Sequence, residues 1–157
     1  MFQSEYPIIN VTVDVVAFRT FFKEQRTDVL VIRRKEDPYA GALALPGGFL
    51  NIDETAEQGA LRELREETGV QPGWVRSMGF LPPRTEPGRD PRGPTISLPF
   101  WITVPTNTEP IAGDDASEAY WMPLTDAARA KWAFDHGKIL GSAIEQKFGE
   151  SNLRKGW

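Results

Sequence analysis

GGFLNIDETAEQGALRELREETGV, residues 47–70, decides how this chain is read. A Gly-Gly turn leads into Ala56, Ala60, Leu61 and Leu64, small or apolar side chains at helical spacing, and the stretch predicts an amphipathic helix over 54–68. Gly69 follows as the left-handed residue that ends it. The opposite face gathers like charge. Glu63 and Glu67 stand four residues apart on one side, Glu66 lies at its margin, and Glu54 precedes them. Such pairs cost a helix roughly 0.2–0.5 kcal/mol each, so the cluster calls for a compensating cation. Arg62, four residues from Glu66, can bridge to it and leave Glu63 and Glu67 free for a metal ion. Hard divalent ions such as Mg2+ take carboxylate and carbonyl oxygens and keep waters for substrate phosphates. A solvated acidic face is the alternative reading.

Composition narrows the function classes. The chain has 157 residues, 40% hydrophobic and 25% charged, which fits a single domain over 1–157 with one core. A net charge of -4 disfavours a long nucleic acid as partner, whereas a small phosphorylated ligand is compatible with a few local arginines or a bound metal. The absence of cysteine removes disulfides, thiolate catalysis and thiolate metal sites, and with only His136 available any metal must sit among oxygens. No apolar run reaches the length of a membrane span, and MFQSEYPII lacks the layout of a signal peptide, so a cytoplasmic protein is expected.

Along the chain, VTVDVVAF (11–18) and DVLVIRR (28–34) read as strands joined by a hairpin-like turn. PYAGALALPGGF (38–49) breaks any helix. VRSMGFL (75–81) and TISLPFWITV (95–104) are further strands, separated by PPRTEPGRDPRGP, a loop long enough to suggest function. EAYWMPL (118–124) is a short strand, and Asp135 is the expected N-cap of a closing helix over 136–147. The pattern is mixed α/β.

From Gly48 to Val70 the spacing runs G-x5-E-x7-R-E-U-x-E-E-x-G-U, where U is a bulky aliphatic residue, and every fixed position is filled. This resembles the Nudix box of the Nudix hydrolases, without departure over its 23 positions. The resemblance implies a Nudix fold, an α/β/α sandwich around a mixed β-sheet, and hydrolysis of a nucleoside diphosphate derivative with Mg2+ or Mn2+. It further implies Glu63, Glu67 and the Gly48 carbonyl as principal metal ligands and Glu66 as a secondary one. Arg62 holds the carboxylates, and Glu54 organises the loop or helps to deprotonate water.

VTVDVVAF, ALPGGF (44–49), PGRDPRG (87–93), GDDASEAYWMPL (113–124) and AFDHGKIL (133–140) also resemble the bacterial ADP-ribose pyrophosphatase branch of NAD metabolism. That likeness implies conversion of ADP-ribose to AMP and ribose 5-phosphate. Arg34, Arg89 and Arg92 are the expected substrate-binding residues, since planar guanidinium forks suit a diphosphate, although Asp90 can pair locally with an arginine and one of Arg33 and Arg34 can be a solvated strand end. Tyr39, Phe49 and Trp101 are candidates for stacking on adenine or for the core. Asp114, Asp115 and Glu118 stand where relatives supply another carboxylate as base or ligand, with Asp115 and Glu118 the favoured pair. His136 is read as structural. Leu43 departs from the tryptophan usual in the branch, which bears on the ligand and not on hydrolysis.

Other substrates stay open: a nucleoside triphosphate, a dinucleoside polyphosphate or NADH. A non-hydrolysing ADP-ribose sensor is a different class, resembling the regulators of NAD genes. A complete box, and a sequence that runs only ten residues past 147, argue against it. Phe21, Phe22 and Trp157 are candidates for a homodimer contact.

Overall fold

The computed structural model describes residues 4–149, so Trp157 lies outside the described residues. Seven strands form one sheet: β1 (Asn10–Phe21), β2 (Arg26–Arg34), β3 (Leu43–Ala44), β4 (Gly47–Phe49), β5 (Ser77–Phe80), β6 (Thr95–Thr103) and β7 (Ala116–Pro123). Among the described residues three α-helices accompany them, α1 (Ala56–Thr68), α2 (Leu124–Ala127) and α3 (His136–Phe148), with a short 3-10 turn at Pro72–Trp74. Among the described residues no helix is long and apolar enough to cross a membrane.

The sheet is forked. β1 runs parallel to β6 along one edge, from Asn10↔Thr95 to Phe18↔Thr103. Its other edge is divided. The Phe18–Phe21 end pairs antiparallel with β2, whereas Thr12–Asp14 pairs with β4. β2 is divided in the same way, because β7 takes one edge while Ile32 and Arg33 turn to β3 on the other. The chain from 43 to 49 therefore enters the gap between two splayed strands, and the Pro46 carbonyl at its centre accepts the Val15 N–H at 2.8 Å. PYAGALALPGGF was expected to break any helix, and it contains none. Its two short strands exist because the fork supplies free backbone partners that a local sequence pattern cannot announce.

Helices cover both faces. Val13, Val15 and Ala17 point to a core shared with Leu30, Phe100, Ile102 and, from α1, Ala60 and Leu64. Val16 and Phe18 point to the opposite core with Val29, Val31 and, from α3, Ile139, Leu140, Ala143 and Ile144. Strands buried on both sides read as continuous apolar runs, which is why VTVDVVAF carries so little polar alternation. The α/β/α sandwich around a mixed sheet is thus the observed architecture.

Two local expectations change. The predicted 54–68 helix starts at Ala56, because Thr55 closes a capping box: its hydroxyl accepts the Gln58 N–H at 3.2 Å and the Gln58 side chain accepts the Thr55 N–H at 2.9 Å. Glu54 consequently belongs to the loop and not to the helix. Gly69 does end α1, with φ 72°. Asp135 precedes α3 without capping it, since its backbone is not extended and its carboxylate is taken by arginines.

Leu64 is the fully buried anchor that holds α1 against β1 and β6. Leu64→Ala is expected to lower stability by about 2–5 kcal/mol. Arg65→Ala, one residue on and exposed, should leave the urea midpoint almost unchanged.

Candidate active site

A cleft of about 340 Å³ opens where the fork meets the acidic face of α1. Its walls come from β1 and β2, the 47–51 loop, α1, the 89–92 loop, Asp115, and the start of α3.

Arg62 organises the acidic side. Its guanidinium makes a two-pronged contact with Glu54, at 2.7 and 2.9 Å, and reaches Glu63 at 2.7 Å, Glu66 at 3.1 Å and the Phe49 carbonyl at 3.0 Å. The expectation that Glu63 would be free of Arg62 therefore fails. A guanidinium carries enough donors to serve neighbouring carboxylates together, so the arginine bridges all three instead of Glu66 alone. The Arg62 hydrogen bonds hold the Glu54 carboxyl below its usual range. Glu63 goes the other way: burial raises it, the arginine offsets part of this, and Glu66 and Glu54 push it up again.

Glu67 is 6% exposed and has no lysine or arginine within ion-pair distance among the described residues. It accepts the Gly47 N–H at 2.9 Å. Burial pushes its pKa well above the ordinary carboxylate range, the Gly47 N–H opposes this, and Glu63, Asp14 and Asp115 add repulsion. The side chain is thus a buried acceptor short of positive charge.

These residues fit a divalent cation. A Cβ on Gly48 would stand 2.5 Å from a Glu63 carboxylate oxygen, so only glycine lets that carboxylate lie against the loop backbone. Among the described residues no three acidic or histidine side chains already converge as a closed cage would. Mg2+ does not require one, because it typically takes one or two carboxylates and completes its shell with water and phosphate.

Opposite the glutamates lies a cationic wall. Arg34 donates to the Pro38 carbonyl at 2.7 Å and lies over the Phe134 ring at 5.0 Å, with no carboxylate in ion-pair range among the described residues. Burial and then the nearby Arg92 depress its pKa, while the more distant carboxylates of Glu67, Asp115 and Asp90 offset part of this. Arg92 lies between the Phe49 and Phe134 rings, at 4.6 and 5.4 Å, and chelates Asp90 at 3.0 and 2.8 Å. Arg89 lines the cleft, but its guanidinium is bound to both oxygens of Asp135 at 2.7 and 3.0 Å. Arg33 is a half-exposed strand end paired with Glu118 at 3.2 Å.

Of the other expected residues, Asp115 borders the cleft, brought there by a turn whose Ile111 and Gly113 N–H groups cap the Thr68 and Glu67 carbonyls of α1. Glu118 is drawn aside by Arg33, and Asp114 does not line the cleft. Phe49 forms a rim, and Tyr39 packs on Phe134 at 4.8 Å. Trp101 belongs to the sheet face beside α3, under Lys147, and not to the cleft. Leu43 is buried in the core on that side.

The sequence reading missed Asp14 and Phe134. Asp14 is 5% exposed and takes hydrogen bonds from Ser97 at 2.5 Å and from His136 at 3.3 Å. Burial works to raise its pKa, but His136, Ser97 and Arg89 outweigh this and hold it low. An aspartate inside an otherwise apolar strand is a signal that could have found it. Phe134 has φ 51°, which its sequence does not disclose.

The comparisons agree with this geometry. The NUDIX domain family model matches residues 10–141. An ADP-ribose pyrophosphatase of Methanocaldococcus jannaschii is 43% identical over 126 residues, covering 80% of this chain and 71% of the relative. An ADPR-responsive transcriptional repressor, NtrR, of Acinetobacter baylyi is 27% identical over 144 residues, covering 90% of this chain and 56% of the relative. Among solved structures, the NUDIX domain of Shewanella oneidensis NrtR complexed with ADP ribose superposes with a TM-score of 0.79 at 31% identity, covering 90% of each chain. A family match that runs from the first strand into the last helix, with a close relative along most of that span, means that this chain belongs to the NUDIX domain family.

Proposed function

We propose that this chain is a metal-dependent pyrophosphohydrolase that cleaves ADP-ribose with water to AMP and ribose 5-phosphate. One observation carries the reading: among the described residues Arg34 has no carboxylate and Glu67 no cationic side chain within ion-pair distance, and both line one cleft. A diphosphate satisfies the first and a divalent cation the second. The 43% identity to an ADP-ribose pyrophosphatase supports the choice of ADP-ribose.

Glu63, Glu67 and the Gly48 carbonyl would hold the cation, with Glu66 beside them. Mg2+ or Mn2+ there would neutralise the diphosphate oxygens and make bound water more acidic. The remaining tasks fall to the chain. Arg62 fixes Glu54, Glu63 and Glu66 so that their mutual repulsion does not spread them. Arg34 and Arg92 bind and orient the diphosphate, while Phe134 and Phe49 supply the flat apolar surfaces against which both guanidinia lie. Asp115 and Glu54 are the candidates for taking the proton of the attacking water. Arg89 serves the substrate through the loop it anchors. A sensor that binds ADP-ribose without cleaving it is the second reading, favoured by the likeness to NtrR and to the NUDIX domain of NrtR.

Purified protein with ADP-ribose and Mg2+ should release AMP, resolved by chromatography, and EDTA should abolish the release. Glu67→Gln is expected to reduce it by about 10²–10⁴-fold. ADP-ribose cleaved no faster than a nucleoside triphosphate or a dinucleoside polyphosphate would overturn the substrate; tight binding without AMP would turn the reading to the sensor.

Arg34→Ala should raise KM by about 10–100-fold with a smaller change in kcat, from the loss of a charge-assisted hydrogen bond. Arg92→Ala should act less, since Asp90 already shares that guanidinium.

In EDTA the acidic site should show in the pH dependence of stability. A carboxyl whose pKa is higher in the folded than in the unfolded chain binds its proton more tightly when folded. Its contribution is present below the unfolded value and is lost as pH rises through the folded one, about 1.4 kcal/mol for each pKa unit of difference. Because Glu67 is raised in this way, Glu67→Gln should raise Tm in EDTA more at pH 8 than at pH 5. An equal shift at both pH values would show that Glu67 is not under charge strain.

A further inference from the structure

Three consecutive residues leading into α3 hold the walls of the cleft. Phe134 lies against Arg34 and Arg92. Asp135 ties down the 84–93 loop: one oxygen takes Arg84 Nε at 3.1 Å and Arg89 Nε at 3.0 Å, and the other takes Arg89 Nη2 at 2.7 Å. That loop has almost no regular structure, being tied to the sheet by the bridge of Arg84 with Ser97, the Thr95 hydroxyl on the Gly93 carbonyl and Arg92 on the Phe49 ring, yet it carries Asp90 and Arg92 into the cleft. Arg89 is 4% exposed in its side chain, so the ion pair is a buried pillar beneath the loop.

His136 holds the opposite wall. Its Nδ1 accepts the Leu45 N–H at 2.9 Å, which fixes the proton on Nε2, and Nε2 faces Asp14 at 3.3 Å. Asp14 is braced in turn by the Ser97 hydroxyl and pairs in register with Gly47. A side chain on Gly47 would collide with Asp14, so the carboxylate lies directly under the segment whose next contact is the Gly47 N–H to Glu67. Both ring nitrogens of His136 are therefore committed to protein partners, and neither is left for substrate or for proton transfer.

We propose that Asp135 and His136 are positioning residues with separate tasks: Asp135 sets the arginine-bearing 84–93 loop, and His136, through Leu45 and Asp14, sets the 45–48 segment on which Glu63 and Glu67 rest. The kinetic part rests on the proposed ADP-ribose reading; the backbone part does not. Neighbours in sequence thus act on opposite sides of the cleft.

The test uses the full chain and the variants Asp135→Asn, His136→Ala and His136→Asn. Amide hydrogen exchange by NMR, without metal or substrate, should quicken about 10-fold or more at Leu45 and Gly47 in His136→Ala and at residues 89–93 in Asp135→Asn, each leaving the other segment near wild type. His136→Asn places a carbonyl oxygen near the position of Nδ1 and should restore part of the Leu45 protection. Mn2+ binding by electron paramagnetic resonance should weaken about 10–100-fold in His136→Ala and little in Asp135→Asn. With ADP-ribose, His136→Ala should lower kcat while Asp135→Asn should raise KM. Exchange quickened throughout the chain in every variant, or the same parameter changed by the same factor in both, would overturn the proposal. If wild-type protein fails to cleave ADP-ribose, the substrate reading fails alone, and the exchange and Mn2+ measurements still decide whether these residues position the two walls.

Discussion

The separation of β1 from β2 is the constraint on which the site depends. Once the two strands part, each presents unpaired backbone groups toward the gap, and buried N–H and C=O groups must find partners. The 43–49 segment satisfies them, pairing Leu43 and Ala44 with β2 and Gly47 to Phe49 with β1. This seats Gly47 and Gly48 at the floor of the cleft, facing the glutamates of α1. Glycine is required there by crowding: a Cβ at Gly48 would enter the Glu63 carboxylate, and one at Gly47 would strike β1 itself.

Charge is then divided unevenly around the cleft. Arg62 shields Glu54, Glu63 and Glu66, but among the described residues Glu67 has a backbone N–H and no ion-pair partner, and Arg34 a carbonyl and a ring and no ion-pair partner. In a structural ion-pair network these two would each have a partner. Leaving opposite charges unsatisfied on facing walls costs stability and leaves room for ligands that carry the complementary charges.

The sequence made α1 legible because a helical apolar period, a left-handed stop and a filled box agree over the same residues. β1 and β2 were legible as β-branched runs, and the long 82–94 loop as one without regular structure. β3 and β4 were hidden, since two- and three-residue strands owe their existence to non-local pairing. The cleft residues were only partly readable. Arg34, Arg89 and Arg92 all line it, but no spacing rule reveals that Asp135, 46 positions from Arg89, takes up that guanidinium. Asp135 looked like an N-cap for the same reason: a short polar residue before a helix has the right type, and only tertiary contacts show where its carboxylate turns.

Arg34 also bears on how a ligand arrives. The chain carries a net charge of -4, so a diphosphate approaching from afar meets repulsion, and attraction begins only near the cleft. At about 0.1 M salt the Debye length is roughly 10 Å, which screens the distant field while affecting a half-buried guanidinium much less. Moderate salt therefore removes more of the obstacle than of the lure. Capture by this acidic protein should hold up, or even quicken, over a range of ionic strength in which an enzyme relying on a broad basic surface would slow.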